Sequence, residues 1–173
     1  MRYFLLLVTF FVLMAAQSSF LGLFGLGAYS VDLPLIAVMY LASTSSRRRM
    51  GSFITAVAIG FLADSFAVGS IFGIQMEIAG LLFLSSMALA NRFQWHRVGP
   101  LMALTLVGAI ISSALFYLLS FLFDEGFSWH TFDWLGLFVR ILVTTLASPL
   151  LFRLFGLFDG RSRGRTATSS LLR

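Results

Sequence analysis

The chain has 173 residues, of which 59% are hydrophobic and only 11% charged, with a formal net charge of +5. Soluble domains carry about 25% charged residues, so this composition, with a mean hydropathy of +0.95, excludes an ordinary water-soluble fold and points to an integral membrane protein. The absence of cysteine excludes thiol catalysis, disulfides and cysteine-ligated metals.

Barrel strands would show segments of about ten residues with alternating polarity. Here the apolar runs are continuous and approach the roughly 20 residues that a helix needs to cross about 30 Å of hydrocarbon. All 12 cationic residues are arginines, and most lie at the ends of these runs. That placement reflects membrane topology and not a groove for phosphates, so the basic balance does not imply nucleic-acid binding.

In chain order, the first apolar run extends from Tyr3 to about Phe24, interrupted by Gln17, Ser18 and Ser19. Arg2 followed by YFLLLVTFFVLMAA could be a signal peptide with a cleavage site near Ala15 and Ala16. The run resumes after the polar triplet, which favours a retained helix. The glycines of GLFGLG (Gly22 to Gly27) lack the spacing and the preceding strand of a dinucleotide fingerprint, and read as a turn.

The second run covers Ser30 to about Ser46. Asp32 stands where a helix N-cap is wanted, and Pro34 falls in the first turn, where its missing N–H costs little. The alternative role for Asp32 is contact with a partner at the outer surface. Arg47, Arg48 and Arg49 close this span, and the third follows from about Gly51 to Val68. Within it Ser52, Ala56, Gly60 and Asp64 form one i+4 row, a stripe of small residues that ends in a carboxylate. Small residues let helices approach closely in lipid, so the row is a candidate packing or partner face.

After a turn over residues 69–73, the fourth span covers Ile74 to Ala90, with Glu77 one turn inside it. A basic, aromatic loop (NRFQWHR) contains Arg92, His96 and Arg97, and the fifth span runs from Val98 to Phe123 with small residues at Gly108, Ser112 and Ser113. The acidic link that follows holds Asp124, Glu125, His130 and Asp133, with Trp129 and Trp134 suited to an interfacial belt. Its spacing matches no familiar metal-ligand motif, so it reads as a solvated loop. The sixth span, about Phe132 to Phe152, carries Arg140, Thr144 and Ser148 on one i+4 row, with Pro149 and Arg153 at its far end. Residues 1–158 thus make one transmembrane domain, and residues 159–173 make a basic, low-complexity tail expected to be disordered.

With six spans both termini lie on one side. Arg2, Arg47, Arg48, Arg49, Arg92, Arg97 and the tail arginines share that side, while the opposite loops (25–30, 69–73 and 124–131) have no Arg or Lys. The positive-inside rule makes the termini cytoplasmic. Asp64, Glu77 and Arg140 then fall at similar depth in the outer half of the membrane. An arginine at a helix centre costs about 2.5–3.5 kcal/mol on insertion scales, so Arg140 is expected to neutralise Asp64, Glu77 or both. This cluster could serve a substrate or proton pathway, or pin helix register. No nucleophile, base and orienting acid stand at a recognisable spacing, so no catalytic role is assigned, and no cofactor or metal is implied.

The order of segments resembles the rod shape-determining MreD family: VDLPLIAVMYLA, a basic break RRRMG, then GFLADSFAVGSIFG. By that match Asp64, Gly60, Gly69 and Gly73 occupy the family's recognisable positions, and Arg140 belongs to no matched signature. The resemblance implies a scaffold of the bacterial inner membrane that serves cell elongation and lateral peptidoglycan synthesis. The partners it implies are MreC, the glycosyltransferase RodA with its transpeptidase, and MreB indirectly. It also implies a fold similar to the substrate-binding subunits of energy-coupling-factor vitamin transporters. The rival reading is therefore a small-solute, vitamin-like binding or transport subunit.

Overall fold

The computed structural model of the chain describes residues 2–24, 30–44, 49–67, 72–90, 98–123 and 133–170. They form six helices, one for each apolar run: α1 (Arg2–Phe24), α2 (Leu33–Thr44), α3 (Arg49–Phe66), α4 (Ile74–Ala90), α5 (Val98–Phe123) and α6 (Trp134–Ser170). Among the described residues there is no strand, in keeping with the all-α expectation.

The helices are less uniform than six near-equal spans. Three of them are long and apolar enough to cross a membrane, over Tyr3–Phe20, Gly99–Phe123 and Trp134–Leu157. Helix α2 has only 12 residues, about 18 Å at 1.5 Å per residue. It is the centre of the bundle: it touches all five other helices, and every residue from Leu35 to Ala42 is buried. A helix enclosed on all sides needs no polar face, which is why its sequence is an unbroken apolar run. Around it, α3 packs most extensively on α4, and α5 on α6.

The bundle has two different ends. At one, the Tyr3 hydroxyl lies 3.2 Å from Ser52 Oγ, and Tyr40 packs against Phe152 and Phe155 with ring centroids 5.7 and 5.6 Å away. At the other, the N-termini of α2, α4 and α6 meet the second half of α5 around a cavity. Gln17 of α1 reaches this second end, its amide donating to the Val31 carbonyl at 2.8 Å.

Helix α6 departs from its expected course. Pro149 does not end it: the helix passes through Pro149 and continues to Ser170, beyond Asp159, where the polar sequence predicts disorder. A proline has no N–H, so the carbonyl four residues back, that of Thr145, loses its helical donor. The buried Ser148 hydroxyl donates to that carbonyl at 2.8 Å and repairs the ladder. A helix that is already nucleated then extends at little cost per residue.

The surface of the bundle is strongly apolar. On α6 alone Leu135, Phe138, Leu142, Leu146 and Leu150 are exposed, at spacings that place them on one stripe. Phe10, Phe83 and Phe155 fill the interior.

Candidate functional site

Asp64 stands at the last turn of α3, 4% exposed. The backbone N–H groups of Gln75 and Met76 donate to its Oδ1 and Oδ2, each at 3.1 Å. These donors lie in the first turn of α4, whose N–H groups have no intrahelical acceptor. Asp64 therefore caps a helix other than its own, and its charge sits at the positive end of that helix's dipole. Gly60, one turn earlier, makes this possible. A Cβ there would lie 2.6 Å from the Gln75 carbonyl oxygen and from Met76 Cα, so only glycine lets the α4 N-terminus come down onto α3. Gly73 opens α4 with φ +107°, a conformation that L side chains rarely adopt.

The whole row is occupied in this way. Ser52, Ala56, Gly60 and Asp64 are all buried, so the row packs inside the molecule and leaves no face for a partner. Ser52 meets α1 through Tyr3, and Gly60 and Asp64 meet α4.

Arg140 does not pair with Asp64 or Glu77. Its Nη2 donates to Asp32 Oδ2 at 3.1 Å. Asp32 is also the N-cap that the sequence suggests: its carbonyl accepts the first helical bond from Ile36, and its Oδ1 accepts the Leu35 N–H at 3.2 Å. The Asp32 N–H in turn donates to Thr144 Oγ1 at 2.9 Å. The row Arg140, Thr144 and Ser148 thus faces inward, and its first two members hold the start of α2. Arg140 reaches Asp32 because α6 packs against α2, while Asp64 lies on α3 with its oxygens already occupied. Glu77 lies on the exposed side of α4 and has no ion-pair partner among the described residues.

Asp133, read as part of a solvated link, is the N-cap of α6, its Oδ1 accepting the Gly136 N–H at 2.9 Å. The signal for this was available: an Asp two residues after a Thr and directly before an apolar run. Arg49 opens α3. The other proposed topology determinants, Arg47, Arg48, Arg92 and Arg97, lie outside the described residues, as do Gly69, His96, Asp124, Glu125 and His130.

The three capping aspartates surround the cavity end. The cavity has a volume of about 160 Å³, and its wall includes Asp32, Gln75, Ser112, Asp133 and Arg140. By capping α4 through Gln75, Asp64 also fixes one wall of this space, although it does not line it. Arg140 keeps 38% of its side chain exposed, Asp32 only 11%. Comparison of the chain with family models, with curated proteins and with solved structures finds no match.

Proposed function

We propose that the chain is a six-pass protein of the bacterial inner membrane with cytoplasmic termini, and that it acts as a scaffold of the cell-elongation machinery in the manner of the MreD family. The observation that carries the scaffold reading is where the charged groups of the spans are used. Asp64, in the segment GFLADSFAVGSIFG that bears the resemblance, is closed off by two backbone donors, and Arg140 is tied to Asp32. Both serve helix register, as a scaffold requires.

Membrane embedding is supported by the exposed apolar stripes of α1, α5 and α6, which in water would be an aggregation liability. The shorter α2 fits this reading because it is enclosed and its backbone groups are satisfied within the helix, as a bilayer demands. On this reading the aspartate end faces the outer surface, and partner helices dock on outward faces, since the small-residue row of α3 is already filled. The bundle would be similar to the substrate-binding subunits of energy-coupling-factor transporters.

The test is affinity purification of the full chain from its native membranes in mild detergent, paired with its depletion. We expect MreC to co-purify and depleted cells to lose rod shape. Recovery of a stoichiometric vitamin without MreC, or unchanged rod-shaped growth on depletion, would reject the scaffold in favour of a solute-binding subunit.

A further inference from the structure

The cavity at the aspartate end has features that helix packing alone does not require. Ser112 of α5 is 6% exposed and lines it, and the Ser112 hydroxyl has no hydrogen-bond partner among the described residues. The buried Thr105 hydroxyl donates back to the carbonyl one turn earlier. Buried Ser86 and Ser120, like Ser112, have no partner among the described residues, but of these three Ser112 alone lines the cavity. A buried hydroxyl without a partner is destabilising, and a bound polar group would relieve that cost.

The charges narrow the class of that group. Three helix N-termini point into this end, each equivalent to about half a positive charge, and Arg140 adds a full one. Asp32 and Asp133 on the wall and Asp64 behind it face them, while Glu77 stands exposed outside the lining, so the cavity wall itself is close to electrical balance. Neither a simple anion nor a simple cation gains from such a field. Yet both kinds of charged group keep capacity on the cavity wall. Arg140 makes its described hydrogen bond through Nη2 alone, leaving the other edge of a guanidinium that carries five donors. Asp133 commits Oδ1 to the Gly136 N–H and is otherwise exposed at the rim. A volume of about 160 Å³, at 10–15 Å³ for each enclosed water, has room for roughly 11–16 non-hydrogen atoms.

We infer that this cavity binds a small zwitterion of amino-acid size, its carboxylate on the open edge of Arg140 and the Ser112 hydroxyl, its ammonium at Asp133. Gln75 supplies a neutral donor and acceptor on the α4 wall. The inference rests on the cavity and goes beyond the scaffold reading, which stands or falls separately by co-purification and cell shape.

The experiment is thermal unfolding of the purified full chain in detergent, followed by tryptophan fluorescence. The titrants are glycine, alanine, serine and glutamine, with acetate, ethylamine and glycerol as partial mimics. At least one zwitterion should raise the melting temperature in a saturable way, and the mimics should not. Ser112→Ala should weaken the midpoint of that response about fivefold, the equivalent of one hydrogen bond. Arg140→Lys, which keeps the charge and loses the planar fork, should weaken it more. If Arg140→Lys does not fold, Ser112→Ala decides. The inference is overturned if no zwitterion shifts the wild-type melting temperature at 100 mM, if acetate, ethylamine or glycerol does so equally well, or if Ser112→Ala responds as wild type.

Discussion

The α3–α4 seam and the α2–α6 seam each contain a buried aspartate near the same end of the bundle, and they use it in opposite ways. On the first, Asp64 is saturated: both oxygens accept backbone N–H groups from one helix end, and the glycine below it removes the space for anything else. On the second, Asp32 caps its own helix, holds Arg140, and forms part of a cavity wall. One seam is closed packing. The other leaves polar capacity facing open volume. A carboxylate inside an apolar helix therefore signals function only after the needs of nearby helix ends have been met, because an uncapped N-terminus is itself a strong claimant for negative charge.

The difference is sharpest under truncation. Asp64→Ala would leave two part-buried first-turn N–H groups of α4 without acceptors, a loss of about 2–6 kcal/mol in unfolding free energy, at 1–3 kcal/mol for each orphaned group. Unfolding of the purified chain by graded denaturing detergent measures it. A loss under 1 kcal/mol would mean that water reaches the α4 N-terminus and that the seam is not closed.

The ion pair should give a smaller and more specific signal. A double-mutant cycle over Asp32→Asn and Arg140→Gln should yield a coupling of about 1 kcal/mol, as for contacting polar groups. A fully buried pair broken on one side loses about 3–5 kcal/mol, but the guanidinium here is more than a third exposed and solvent screens it. The same cycle over Asp64→Asn and Arg140→Gln should return no coupling. Coupling in the second cycle and none in the first would restore the pairing that depth along the helices suggests and remove the one observed.

That pair also shows how far the sequence could be read. Six apolar runs predict six helices, because run length and continuity are properties of single elements. Asp32 as an N-cap was legible for the same reason: the cap and the N–H it serves are three residues apart. The Ser52–Asp64 row was legible as a packing face, since i+4 spacing defines a side of one helix. Which helix each face meets was not. Asp32 and Arg140 are 108 positions apart, and Asp64 and Gln75 meet only because Gly60 lets α4 descend onto α3. Equal depth in a membrane is a one-dimensional coordinate, and it cannot choose among neighbours arranged around a bundle. Pro149 misled in a similar way: the repair by Ser148 lies in a rotamer, which composition does not reveal.

Glu77 supplies the smallest expected effect and the clearest separation between depth and contact. It shares the approximate depth of Asp64 and Arg140, yet it is exposed on the first turn of α4 beside Met76 and one turn before Leu81. Its charge there has a favourable interaction with the helix dipole and no ion-pair partner among the described residues. Glu77→Gln should therefore lower the unfolding free energy by about 0.3–0.5 kcal/mol, the low end of the effect of a charge at a helix terminus, measured by the same detergent titration. A loss comparable to that of Asp64→Ala would place Glu77 inside a charge network after all. A near-zero loss in the isolated chain, combined with loss of a co-purifying partner, would instead assign the outward face of α4 to assembly, the role that the buried row of α3 cannot fill.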